Sequence, residues 1–234
     1  MKLDNNIYLP QKLPPKNRQP SFKAKSSVLR DADWVCRSVN KIFPTLSSTW
    51  LNYNLHIEQG NKLKCIEIIG EKIHNARCNN NSELVPFNFF KKMLEQVKKE
   101  HVGNCYEKAS IAELILRVNG VDNCDRINFV TNDGKKNLHH TALLVNLDKN
   151  NYCPSLQKLI IIDPWVETSG FADTVFKKYT NLYNNFFKLK DNECIQFVKR
   201  HSLDLLEEDI KFFRENYPEL LFKSSDKHKL FTKA

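Results

Sequence analysis

Apolar residues recur along this chain with two periods, and the period changes near its middle. From Asp31 or Asp33, either able to cap a helix, Trp34, Val35, Val39, Ile42 and Phe43 return at helical spacing until Pro44 stops the run. The stretch 50–77 is ambiguous between strand and helix, and the Asn-rich 78–82 reads as a loop. After Pro86, the residues Phe89, Phe90, Met93, Leu94 and Val97 form an apolar stripe with lysines opposite, which predicts an amphipathic helix over 88–100. Gly103-Asn104 breaks the chain. Cys105 then opens a helix in which Ala109, Ala112, Ile115 and Leu116 can face a core until Asn119-Gly120 ends it.

Beyond that helix the period shortens. Residues 126–131, a turn signal at Asn132-Asp133-Gly134, 140–147, and 159–162 running into Asp163-Pro164-Trp165 predict three strands, taken as antiparallel. Ser169 precedes a further helix with Val175, Tyr179, Leu182, Tyr183 and Phe186 on one face, and 203–216 reads as another that ends at Pro218. Helices, then a small sheet, then helices make an α+β chain. Residues 1–28 carry four prolines and six Lys or Arg, too few apolar groups to offset the entropy of ordering, so a basic tail is expected to precede one domain over 29–234.

Composition narrows the class. In 234 residues, 41% hydrophobic content suffices for one domain with a core, and no run of about 18 apolar residues offers a membrane span. Six Gly and nine Pro exclude a collagen-like or low-complexity chain. Asp4 and its polar neighbours interrupt any secretory signal. Seven scattered cysteines, at 36, 65, 78, 105, 124, 153 and 194, include no CxxC pair; this fits free thiols in a reducing compartment and speaks against a disulfide framework or a structural zinc site.

The net charge of +9 leaves lysine clusters at Lys91, Lys92, Lys98, Lys99, Lys177 and Lys178 on polar helix faces, suited to solvent or to an acidic partner. A nucleic-acid surface would interleave basic residues with exposed aromatics. Here the aromatics fall on the apolar stripes, so no nucleic-acid role is expected.

One constellation carries chemistry. A thiol becomes a useful nucleophile at a helix N-terminus beside an imidazolium, and Cys105 has the first feature by position. The amides of the same turn can donate to an oxyanion, with Asn104 as an added donor. His139-His140 lies at the mouth of the apolar strand TALLVNL; His140 is preferred as the base, because alternation sends His139 to the other face. Asp163 ends the strand KLIII before a proline and can orient the imidazole. Each residue also has an ordinary structural reading: a small buried thiol, a strand-end histidine, a turn-forming Asp-Pro. Glu107 reads as a solvated carboxylate that favours the helix dipole, and Trp165 as a ring packed over the site or the core.

GNCYEKASIAELIL, HHTALLV and LIIIDPW, in that order, resemble the papain-like and transglutaminase-like Cys-His-Asp superfamily, especially bacterial effector cysteine proteases and glutamine deamidases. The match covers about residues 88–170 and falls on Gly103, Cys105, His140, Asp163 and Pro164. The resemblance implies a nucleophile at a helix N-terminus packed on a small antiparallel sheet, acyl-transfer chemistry on protein amides, a protein substrate such as a host-cell protein, and no metal or organic cofactor. Gln96, on the preceding helix, is the candidate for the oxyanion glutamine of papain-type enzymes. Thr141-Ala142 stand where the family commonly has an aromatic after its histidine. The acidic-helical LLEEDIKFFRENYPE and the basic tail after it are similar to secretion signals of some effectors. A second reading, of another class, is a protein-binding module on the same fold with an inert cysteine and a basic docking surface.

Overall fold

The computed structural model describes residues 22–42, 86–100, 103–131, 137–148, 151, 154–186, 195–199 and 205–222. Among them are five α-helices: α1 (Phe22–Ile42), α2 (Pro86–Glu100), α3 (Cys105–Val118), α4 (Ala172–Phe186) and α5 (Glu207–Asn216). Five strands, β1 (Cys124–Thr131), β2 (Asn137–Asn146), β3 (Leu159–Asp163), β4 (Thr168–Phe171) and β5 (Ile195–Lys199), form one sheet in the order β4-β3-β2-β1-β5. Every pairing is antiparallel. The α+β class read from the sequence holds. The ambiguous stretch 50–77 and the loop at 78–82 lie outside the described residues.

Period-two alternation in the central strands explains the layers. Leu143, Val145, Ile160 and Ile162 pack into a core with α1, α2, α3 and Phe213 of α5. Their neighbours Ala142, Leu144, Leu159 and Ile161 pack on the other face with Val175 and Tyr179 of α4. The sheet is therefore covered on both faces, which is why β3 runs through four apolar residues, Leu159 to Ile162, and is buried at all five of its positions. Full burial of each Ile or Leu stabilises by about 1.5–3 kcal/mol. α3 is the central helix, buried without interruption from Ala109 to Val118. It stops at Asn119-Gly120 as its sequence predicts, with Gly120 at φ 84° in the left-handed region that glycine enters without cost. Arg214 Nε of α5 donates to the Val118 carbonyl at 2.6 Å, satisfying one of the last acceptors of α3.

Four expectations are corrected. α1 begins at Phe22, inside the stretch 1–28 read as a tail, and runs through Asp31 and Asp33 without using either as a cap. The good helix formers Lys23, Ala24 and Lys25 extend it, and the helix gains its stability from the stripe Val28, Ala32, Val35 and Val39. The sheet has five strands, because β4 and β5 pair at its edges. Ser169 lies in β4, paired with Ile162, and does not precede a helix directly. His140 is the fourth residue of β2, not its first.

That last position has a further feature. β1 and β2 pair in register from Cys124↔Val145 to Asn128↔Thr141, then resume at Val130↔Asn137. Residues 138–140 of β2 thus lie opposite Phe129 alone, and His140 sits inside the irregularity. Such irregularities re-aim a side chain that regular pleating would fix.

Candidate active site

α3 begins at Cys105 because the residues around it form a capping box. Asn104 is the N-cap with extended backbone, and Glu107 Oε2 accepts the Asn104 amide at 2.9 Å. Glu107 is 8% exposed, so it is a built part of the helix start and not the solvated carboxylate expected from its position. An α-helix leaves its first-turn amides without an internal acceptor, so this turn carries N–H groups and the positive end of the helix dipole beside the Cys105 sulfur. Cys105 is half-exposed.

β2 and β3 bring in the other two groups. His140 Nε2 lies 2.5 Å from Asp163 Oδ2. With Nε2 taken by the carboxylate, Nδ1 is the ring nitrogen left for Cys105, whose side chain is a hydrogen-bond partner of the imidazole. The structure thus joins Cys105, His140 and Asp163 in one chain. His140 is 3% exposed and Asp163 fully buried, so the chain opens to solvent at its sulfur end. Burial by itself lowers the basicity of His140; the charge of Asp163, the hydrogen bond to it and the contact with Cys105 outweigh that and raise its pKa to about 10.

Asp163 is held from several sides. Oδ1 accepts the amides of Trp165 at 3.1 Å and Val166 at 3.4 Å, the turn an Asp builds on its own backbone. Oδ2 accepts the Tyr179 hydroxyl as well as His140. The Asp-Pro that could have been mere strand punctuation therefore does both jobs with one carboxylate. The turn ends at Glu167, whose φ of 53° is left-handed, and Asp163 then pairs with Thr168 across the hairpin.

Aromatic rings close around the imidazole. Phe129 stacks on it at 5.2 Å and 25°, Trp165 lies at 5.1 Å and 51°, and Tyr179 meets it edge-on at 6.1 Å and 90°. Trp165, expected over the site or the core, lies against the imidazole. From the sequence Phe129 and Tyr179 read only as strand and helix core, and no local signal separates Tyr179 from Tyr183 on the same stripe.

Near the start of α3, Arg126 of β1 is buried against the rings of Phe89, at 5.4 Å, and Tyr106, at 5.3 Å. Its Nε lies 2.8 Å from Glu113 Oε2 as a charge contact outside hydrogen-bond alignment, while Arg117 Nε bonds Glu113 Oε1 at 3.0 Å. This cluster ties α3 to β1. On the other side, Lys108 Nζ donates to Asn40 Oδ1 at 2.7 Å, and Asn40 Nδ2 to the Pro164 carbonyl at 2.8 Å, latching α1 to α3 and to the turn after Asp163.

The remaining candidates are placed as follows. Asn104 is the helix cap. Gln96 is half-buried on α2, two turns beyond Phe89, the ring that meets Tyr106 at 6.2 Å. His139 precedes His140 in β2. Cys36 is buried on α1 as its stripe predicts, its thiol pushed up to about 12 by burial and then by the charge of Asp163. Among the described residues, no cluster of His, Cys, Asp and Glu could hold a metal, and no helix is long and apolar enough to cross a membrane.

No known family matches the sequence, and comparison with the curated proteins and with the solved structures finds no match either.

Proposed function

We propose that the chain is a thiol enzyme acting on protein amide groups, with a papain-like or transglutaminase-like arrangement of nucleophile helix and sheet. One observation carries the reading: a half-exposed Cys105 at a helix N-terminus joined through His140 to a fully buried Asp163. A structural thiol needs no such chain, and the bland readings of the three residues account for each alone and not for their connection.

In this mechanism Cys105 and His140 react as a thiolate–imidazolium pair. The sulfur attacks the amide carbon, and the oxygen, now carrying the charge, is met by the first-turn amides of α3. His140 Nδ1–H protonates the departing amine as the C–N bond breaks, leaving a thioester. Water, or a second amine, then attacks the thioester carbon while His140 takes its proton, and the C–S bond breaks to return the thiol. Asp163 keeps the imidazole oriented with its Nε2 proton inward. Water after peptide attack is proteolysis, water after glutamine attack is deamidation, and an amine acceptor gives transglutamination.

The test is alkylation by iodoacetamide, with labelled residues located by mass spectrometry. Cys105 is expected to label first, ahead of Cys36 and Cys124, whose thiols burial renders less acidic. His140→Ala should slow the labelling at neutral pH by on the order of tenfold. A Cys105 that reacts no faster than the other thiols overturns the reading and favours the binding module. Ammonia release, amine incorporation and cleavage assayed on glutamine-bearing peptides then separate the three reactions, and Cys105→Ala should abolish whichever is found.

A further inference from the structure

The reaction above uses three side chains, but Asp163 Oδ2 has a second donor that the reaction leaves unexplained. The Tyr179 hydroxyl comes from α4, on the sheet face opposite α3, and reaches the same oxygen that His140 Nε2 reaches. Tyr179 is fully buried and its ring is fixed edge-on against Phe129 at 5.1 Å and 89°. Two donors on one oxygen divide its charge between them. Neither can strengthen its bond without weakening the other's.

We propose that Tyr179 is a positioning residue of the Cys105–His140–Asp163 site, holding Asp163 Oδ2 toward the imidazole and drawing off part of the carboxylate's charge, so that His140 can release its proton to a leaving amine. The inference rests on the thiol-enzyme reading. Oδ1 is spent on the turn amides, which are fixed by backbone geometry, so Oδ2 is where the charge felt by His140 is set. A tyrosine there moderates an otherwise undiluted buried carboxylate. Without it the imidazolium becomes a poorer acid at the step that expels the amine.

Among the described residues, Asp163 faces His140 from β3, Cys105 from α3 and Tyr179 from α4, while β1 and the turn after β3 bring the uncharged rings of Phe129 and Trp165 against it. The charge of Asp163 also reaches Cys36 of α1 and Lys108 of α3.

The experiment is the titration of His140 followed by nitrogen NMR of the full chain, in the wild type, in Tyr179→Phe and in Val175→Ala. Tyr179→Phe keeps the ring and removes only the hydroxyl. Val175→Ala removes buried volume from the same helix at a residue that gives no hydrogen bond to Asp163. The midpoint for His140 is expected to move upward by about half a pH unit or more in Tyr179→Phe and to stay at the wild-type value in Val175→Ala. An unchanged midpoint in Tyr179→Phe overturns the proposal, and so does an equal shift in both variants, which would trace the effect to loosening of α4. The readout is independent of catalysis. A failure of Cys105 to label ahead of the other thiols would sink the enzyme reading while leaving the Tyr179 measurement intact.

Discussion

The amide of Trp165 donates to Asp163 Oδ1 at 3.1 Å, so the carboxylate that meets His140 is fixed by the turn that follows it. Substitutions at Asp163 should therefore separate chemistry from structure. Asp163→Asn keeps an oxygen for the Trp165 and Val166 amides but removes the charge that holds the proton on His140. Burial, which lowers the basicity of His140, then prevails. The variant should fold, and its turnover should fall by about 10³–10⁴-fold. Asp163→Ala loses the turn acceptor too and should be about 1–3 kcal/mol less stable to urea than Asp163→Asn, as the amides of Trp165 and Val166 lose their acceptor. Equal stability of the two variants would show that the turn does not depend on the carboxylate.

Stability should fall with rising pH because of His140. Its ordinary pKa is about 6.5. In the fold it is raised to about 10, so between those values the folded chain binds a proton that the unfolded chain has lost. The contribution is complete below about pH 6.5, erodes through the interval and is gone above about pH 10. Urea midpoints measured from about pH 6 to about pH 10 should decline in the wild type and decline less in His140→Gln, which keeps a donor without titrating. Parallel declines would assign the pH dependence to other groups.

Glu113 and its arginines should matter far more than the surface pairs. Its side chain is fully buried, and those of Arg117 and Arg126 are 6% and 4% exposed. Glu113→Gln removes the charge that both buried guanidinium groups meet and should cost about 3–5 kcal/mol. The Arg37–Asp33 pair of α1 has the same i,i+4 spacing, but its side chains are 75% and 49% exposed. Asp33→Ala should cost no more than about 0.5 kcal/mol. Chemical denaturation of the two variants beside the wild type decides whether burial sets the scale.

Much of this arrangement is legible in the sequence where local pattern and tertiary role coincide. α3 reads from apolar spacing and its Asn-Gly stop, and β2 and β3 read from runs too apolar for a solvated face. Cys105, His140 and Asp163 stand out because reactive residue types fall at or near element boundaries. What fails to read is set by partners distant in sequence. The four residues of β4, Thr-Ser-Gly-Phe, show no alternation and become a strand only because Ile160 to Asp163 offer them a ladder. The register irregularity at His140 depends on where β1 resumes pairing, which no local pattern of β2 contains. Tyr179 reads as one more ring of a helix stripe, since the destination of its hydroxyl is decided by how α4 lies on the sheet.

Glu107 offers the sharpest local test of how the nucleophile is presented. Its carboxylate accepts the Asn104 amide and is nearly buried, so it determines that α3 starts with Cys105 in its first turn. Glu107→Gln retains an acceptor of the same reach, loses only the favourable charge at the helix N-terminus and should cost about 0.3–1 kcal/mol. Glu107→Ala leaves the Asn104 amide without that acceptor and should cost about 1–2 kcal/mol. The difference should extend to reactivity: with the first turn free to fray, Cys105 spends less time against His140, so iodoacetamide labelling should slow in Glu107→Ala and proceed no slower than wild type in Glu107→Gln. If both variants label at the wild-type rate, the position of Cys105 is held by the packing of α3 on the sheet and not by its cap.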